Sequence, residues 1–186
     1  MKLATAGTFL LTLVFVGLFF TGGKWALAYA ITFGTCFYHL SMRLIVGHAI
    51  HYKLQNHVDY TRRWYQPHPV ESSLYKFLQV KKWKTNMPTY NSSVFDPRKH
   101  TWEEIAQAMC QAEIVHEVIV VLSFLPLLAA IPFGAFFVFL FTSIAAALYD
   151  LSFVIMQRYN RPRIIKFIKK ERAEARSFFT IYALQV

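Results

Sequence analysis

The sequence predicts an all-α, polytopic membrane protein, and three observations carry that prediction. The 186 residues are 55% hydrophobic and 17% aromatic, yet they carry a net charge of +10; that pairing fits apolar spans with basic flanks rather than a soluble domain. Three apolar runs reach about 18 residues, the length needed to cross a roughly 30 Å hydrocarbon core, and a fourth is borderline. The cations are gathered between those runs. Nine lysines and arginines fall between His51 and Gln111 and eight between Gln157 and Arg176, whereas the turns near Gly23 and Ala130 hold one and none. The positive-inside rule then gives a cell-membrane protein of four spans in a single domain, residues 1–186, with both termini and the central segment in the cytoplasm.

The first span, about 3–20, begins after Lys2 and stops at Thr21-Gly22-Gly23. A secretory signal with Ala-x-Ala at 26–28 or 28–30 would share this outline. The run is long for such a signal and a second apolar run follows at once, so a retained helical hairpin is expected. The second span, about 25–50, is clean until Tyr38 and then carries His39, Arg43, His48 and His51. Polar groups inside a span are costly and turn towards a bundle interior or a cavity. His39 and Arg43 share one helix face by their spacing of four, and His48 and His51 share another by their spacing of three. For the latter pair, solvation at the interface is the plainer role.

Residues 51–111 form a basic, aromatic-rich interfacial segment between spans two and three. Tyr60, Trp64, Tyr65, Tyr75, Trp83, Tyr90 and Trp102 alternate with lysines and arginines, as in a segment lying in the headgroup plane. Tethering at both ends to spans argues against nucleic acid as a partner. Glu71–Lys84 reads as a short helix or strand breaking at Met87-Pro88, and Thr101-x-x-Glu104 reads as a capping box that starts the next helix. The third span, about 112–128, ends near Pro126 to Pro132. The fourth, about 133–156, is interrupted by Asp150, and a basic tail occupies 157–186.

These positions put His39, Arg43, His48, His51, Glu113, His116, Glu117, Asp150 and Arg158 to Arg163 at one depth, which is the candidate site. Glu113 and His116, three apart on a helix, project from one face, so the carboxylate can orient one imidazole nitrogen and leave the other as a base. His116 could then take a proton from a hydroxyl attacking an acyl carbonyl, with Lys82, Lys84 or Arg158 on the oxyanion or on a donor phosphate. Asp150 is expected either to pair with Arg43 or to meet substrate.

The stretch Arg158-Tyr159-Asn160-Arg161-Pro162-Arg163 places guanidinium forks and an aromatic ring where hydrocarbon gives way to water. That suits an anionic or sugar-bearing head group, or a stop-transfer signal. His48-x-x-His51 with Glu113-x-x-His116 offers a possible metal set, but seven histidines, three of them at positions 57, 68 and 100, are too few for a membrane di-iron enzyme, and no metal is expected. Cys36 and Cys110 fit buried thiols rather than a disulfide. Ser123 and Ser143 lack a glycine elbow.

Three ordered stretches carry a resemblance: 77–88 (Phe-Leu-Gln-Val-Lys-Lys-Trp-Lys-Thr-Asn-Met-Pro), 112–116 (Ala-Glu-Ile-Val-His) and 157–163 (Gln-Arg-Tyr-Asn-Arg-Pro-Arg). Together they resemble the signatures of the glycosyl-4,4'-diaponeurosporenoate acyltransferases, small bacterial membrane enzymes of carotenoid biosynthesis, over roughly residues 35–170. The resemblance implies acyl transfer to a hydroxyl of a membrane-resident glycolipid, with Glu113, His116, Lys82, Trp83, Lys84, Arg158, Asn160 and Arg161 at the matching positions. An added first span, and Glu117 where an aromatic residue is expected, depart from the pattern and leave the acceptor open.

The reading is therefore direct general-base acyl transfer to a glycolipid or related lipid. His116 and Glu113 act as the catalytic pair, and Lys82, Trp83, Lys84, Arg158, Asn160, Arg161, His48 and Arg43 bind substrate. Acyl-coenzyme A or an acyl-carrier protein supplies the thioester, and no other cofactor is expected. The alternatives are a non-enzymatic lipid-binding or assembly protein and a metal-dependent lipid-modifying enzyme.

Overall fold

The computed structural model describes residues 1–88 and 92–183; Tyr90, expected among the interfacial rings, lies outside them. Every regular element among the described residues is helical: α1 (Lys2–Phe20), α2 (Ala26–Leu54), α3 (Pro69–Phe77), α4 (Val80–Trp83), α5 (Trp102–Leu122), α6 (Ala130–Phe133) and α7 (Phe136–Ala183), with short 3₁₀ turns between them.

Three stretches among the described residues are long and apolar enough to cross a membrane, Lys2–Phe20, Trp102–Phe133 and Phe136–Ser177. This corrects the expected four. At 29 residues α2 has the length, but Tyr38, His39, Arg43, His48 and His51 make it too polar to qualify. The other difference lies at the end of the chain. The fourth apolar run and the basic tail form one helix, α7, which runs through Pro162.

The chain divides into two compact units, Met1–Tyr52 with Val115–Leu151, and Lys53–Ile114 with Ser152–Val186. In the first, Gly22, at a φ of 101° that favours glycine, turns the chain between α1 and α2. Phe15 of α1 then stacks on Tyr29 and Phe33 of α2, with centroids 5.0 and 5.4 Å away. No residue of α1 is buried, as suits a helix whose outer surface meets lipid. Met42, Val46 and Ile119 form the core of this unit. The Tyr38 hydroxyl donates to the Leu122 carbonyl at 2.8 Å, satisfying an acceptor that the end of α5 leaves without a helical partner.

In the second unit α3 opens on Pro69, whose missing N–H costs nothing in a first turn. Gln79 takes a left-handed conformation, φ 50°, between α3 and α4, so Glu71–Lys84 is helical and no strand forms. The capping box is present: Thr101 N–H donates to Glu104 Oε2 at 2.9 Å and Glu104 N–H to Thr101 Oγ1 at 3.2 Å. Val58, Tyr65 and Cys110 are the core.

Candidate active site

In the first unit the polar chemistry centres on Asp150, which sits in the apolar half of α7 with its side chain 1% exposed. An unpaired carboxylate there would be prohibitively desolvated, and donors from two side chains meet it. Arg43 Nε donates to Oδ2 at 3.0 Å, and Nη2 reaches the same oxygen. His116 Nδ1 donates to Oδ1 at 2.9 Å. That bond fixes the tautomer: with the proton on Nδ1, the basic lone pair is on Nε2. The His116 side chain is 22% exposed. His39, the residue one turn before Arg43, is buried, and neither of its ring nitrogens has a hydrogen-bond partner among the described residues. An unsatisfied buried imidazole costs roughly 1–3 kcal/mol, a cost that a bound polar group would relieve.

The second unit holds a different cluster. Glu113 is fully buried; Oε1 accepts from Arg158 Nη1 at 2.6 Å and Oε2 forms an ion pair with Arg161. Arg158 also donates to Glu71 Oε1, at 3.0 Å from Nε, and to the Trp64 carbonyl at 3.1 Å. Arg161 donates to the Tyr65 carbonyl at 3.0 Å and lies over the Tyr65 ring. The Tyr75 hydroxyl donates to Glu71 Oε2 at 2.7 Å. Burial works to raise the Glu71 pKa, but the bonds from Tyr75 and Arg158 outweigh it and hold the carboxylate below its usual range. Burial, then the bond to Glu71, pushes the Tyr75 phenol up.

This corrects the expected pairing of Glu113 with His116. The carboxylate bonded to His116 Nδ1 is Asp150, and Glu113 is taken up by two arginines. A helix spacing of three decides which residues share a face, not which partner outbids the others. Two guanidiniums satisfy a buried carboxylate far better than one imidazole.

A family model described as glycosyl-4,4'-diaponeurosporenoate acyltransferase matches residues 61–170, more than half of the chain. The chain belongs to this family. Comparison with curated proteins and with solved structures gives no match. As an acyltransferase it carries Glu71, Glu113, His116, Asp150 and the 158–163 stretch inside the matched region, whereas His39 and Arg43 lie before it.

The remaining expected residues of the acyltransferase are placed as follows. Lys84 Nζ donates to Asn160 Oδ1 at 2.7 Å and lies 4.7 Å from the Tyr159 ring centroid. Trp83 Nε1 donates to the Leu78 carbonyl, closing its own turn. Lys82 is exposed and lines an open cavity. His48 is exposed, with Nδ1 2.8 Å from the Leu44 carbonyl of its own helix. No group of three His, Cys, Asp or Glu side chains comes together in a metal-binding arrangement among the described residues. Sequence reasoning missed Glu71 as the partner of Arg158 and Tyr65 as the partner of Arg161. The only available signal was the scarcity of carboxylates in so basic a segment, which marks each one as a candidate anchor for a buried cation.

Proposed function

We propose that this acyltransferase moves a fatty acyl group from a thioester to a hydroxyl of a membrane-resident glycolipid in one direct step, with His116 as general base and Asp150 positioning it. The observation that supports this is the 2.9 Å bond from His116 Nδ1 to the buried Asp150 carboxylate, itself held by Arg43. It makes Nε2 the basic atom and stabilises the imidazolium that forms when Nε2 takes a proton.

The balance is simple. The acceptor oxygen attacks the thioester carbonyl carbon as its proton passes to Nε2; the C–S bond breaks, and the departing thiolate recovers that proton from the imidazolium. An ester and a free thiol result, and no acyl-enzyme is formed. The cytoplasmic face is the natural side for a coenzyme A or carrier-protein thioester, and the cations of 53–99 and 158–176 favour that orientation. A glycosylated carotenoid is one member of the acceptor class to which the family description points. In this reading Glu113, Arg158 and Arg161 build the second unit and do not touch the reacting atoms.

The test is a lipid profile of a host that contains a glycolipid acceptor, expressing wild type, His116→Ala or Asp150→Asn at matched membrane levels. A new O-acylated product with wild type, lost in both variants, is expected. Undiminished product with folded His116→Ala would remove His116 as the base.

A further inference from the structure

The second unit contains an open cavity of about 620 Å³, within the size range of small-molecule sites. Tyr75 and Lys76 of α3, Lys81 and Lys82 of α4, and Tyr159 and Arg163 of α7 line it. The left-handed Gln79 makes this possible, because it turns α4 against the end of α3 so that lysines from both meet one hollow. All four cations are exposed at its wall, and none has an ion-pair partner among the described residues. The carboxylate lining the cavity, Glu71, supplies no compensation, since Arg158 takes one oxygen and the Tyr75 hydroxyl the other.

Four uncompensated charges around one concavity repel each other, and the repulsion is felt nearby. The Lys84 ammonium has its pKa lowered first by burial and then by Arg163 and Lys81. One wall is held in place: Arg163 lies 5.6 Å from the centroid of the Tyr159 ring, and Tyr75 packs edge-on to the same ring at 5.5 Å. A cationic hollow of this kind selects a ligand with several negative charges close together.

We propose that this cavity binds the phosphate-bearing nucleotide handle of a coenzyme A thioester, the acyl donor. The proposal rests on the thioester reading above and narrows it. The charge count decides between donors: the handle offers about two charges from its pyrophosphate and about 1.5–2 from its phosphomonoester. The single phosphodiester of a carrier-protein prosthetic arm, or of a phospholipid head group, would leave most of the four cations unmatched.

The experiment uses the full chain in neutral-lipid nanodiscs and equilibrium titration with free coenzyme A, 3'-dephospho-coenzyme A and pantetheine. Free coenzyme A binds without turnover, so the result is independent of whether His116 is the base, and His116→Ala should bind it as wild type does. Expected for wild type is an order of affinity coenzyme A, then the dephospho form about tenfold weaker, then no measurable pantetheine binding. The Lys81→Gln/Lys82→Gln/Arg163→Gln variant should lose at least thirtyfold for coenzyme A, with a shallower dependence on salt, and Lys81→Gln alone about threefold. Equal affinity of wild type for coenzyme A and pantetheine, or a triple variant that binds coenzyme A as wild type does, would overturn the proposal. So would a triple variant whose only loss is a preference for nanodiscs containing phosphatidylglycerol, since the cavity would then be a lipid headgroup site.

Discussion

Both polar clusters bury a carboxylate against basic side chains, and they differ in which bases meet it. Around Glu113 two guanidiniums converge on one fully buried carboxylate, and further donors of theirs reach Glu71 and the Trp64 and Tyr65 carbonyls, while Arg161 Nε has no hydrogen-bond partner among the described residues. Around Asp150 one guanidinium and one imidazole share the carboxylate, and the imidazole is 22% exposed. A guanidinium stays charged at any physiological pH, so the first cluster can only hold. An imidazole can take up and give back a proton, so the second has the chemistry to react. In the proposed reading, the kind of base on a buried carboxylate, more than the carboxylate itself, tells a holding network from a reacting one.

If His116 is the base as proposed, the largest effect falls on its cluster. His116→Ala should cost about 10²–10⁴-fold in transfer, the usual range for a positioned general base, with a smaller loss of stability, about 1.5–3 kcal/mol, from the removed bond to the buried Asp150 carboxylate. Glu113→Gln inverts the pattern. It leaves Arg161, 1% exposed, without its counter-charge, and breaking a buried pair in this way costs about 3–5 kcal/mol. Thermal unfolding in detergent should show that loss, with transfer per folded molecule retained. If Glu113→Gln instead kept wild-type stability and lost transfer, the division between the clusters would fail.

How far the sequence reveals this follows from the same physics. The helical character, the capping box of Thr101 and Glu104, and the hairpin of α1 and α2 are local or pattern-level features, and they are legible. The span count is less so, because α2 mixes an apolar first half with His39, Arg43, His48 and His51, and length and polarity then point in opposite directions. Pairing is the least legible. Asp150 stands out as a lone carboxylate in an apolar run, which marks it as important without naming His116 as its partner. Glu113 and His116 sit three apart and suggest each other, yet Asp150 and Arg158, which bond to them, come from α7, far along the chain. Spacing on one helix carries no information about what another helix presents to it.

A smaller effect probes how tightly the holding cluster is satisfied. Tyr75→Phe removes one bond to an ionised acceptor, Glu71, and should cost about 1.5–3 kcal/mol. It should also change the acid side of the stability curve. The Glu71 pKa is lowered in the folded state despite burial, by its bonds to Tyr75 and Arg158. Its contribution is therefore complete above the ordinary glutamate range and is lost as pH falls through the lower folded value. Unfolding midpoints of wild type should fall across that acid window, and Tyr75→Phe should flatten the fall. An identical acid slope in the two proteins would mean that the phenol does not set the ionisation of Glu71.

The smallest effect separates stability from charge. Thr101 belongs to the second unit and touches neither arginine; its hydroxyl accepts from the Glu104 N–H and its own N–H is returned a bond by the Glu104 carboxylate. Thr101→Ala removes the hydroxyl half of the box and should cost about 1 kcal/mol, read as a lower unfolding midpoint. Because it weakens the start of α5 without disturbing a cation, it supplies the scale for Glu113→Gln. If Glu113 only holds the unit together, the two variants should differ in midpoint and agree in transfer per folded molecule. A Thr101→Ala protein that keeps transfer while Glu113→Gln, restored to the same midpoint by lower temperature, does not would move Glu113 from the holding cluster into the reaction.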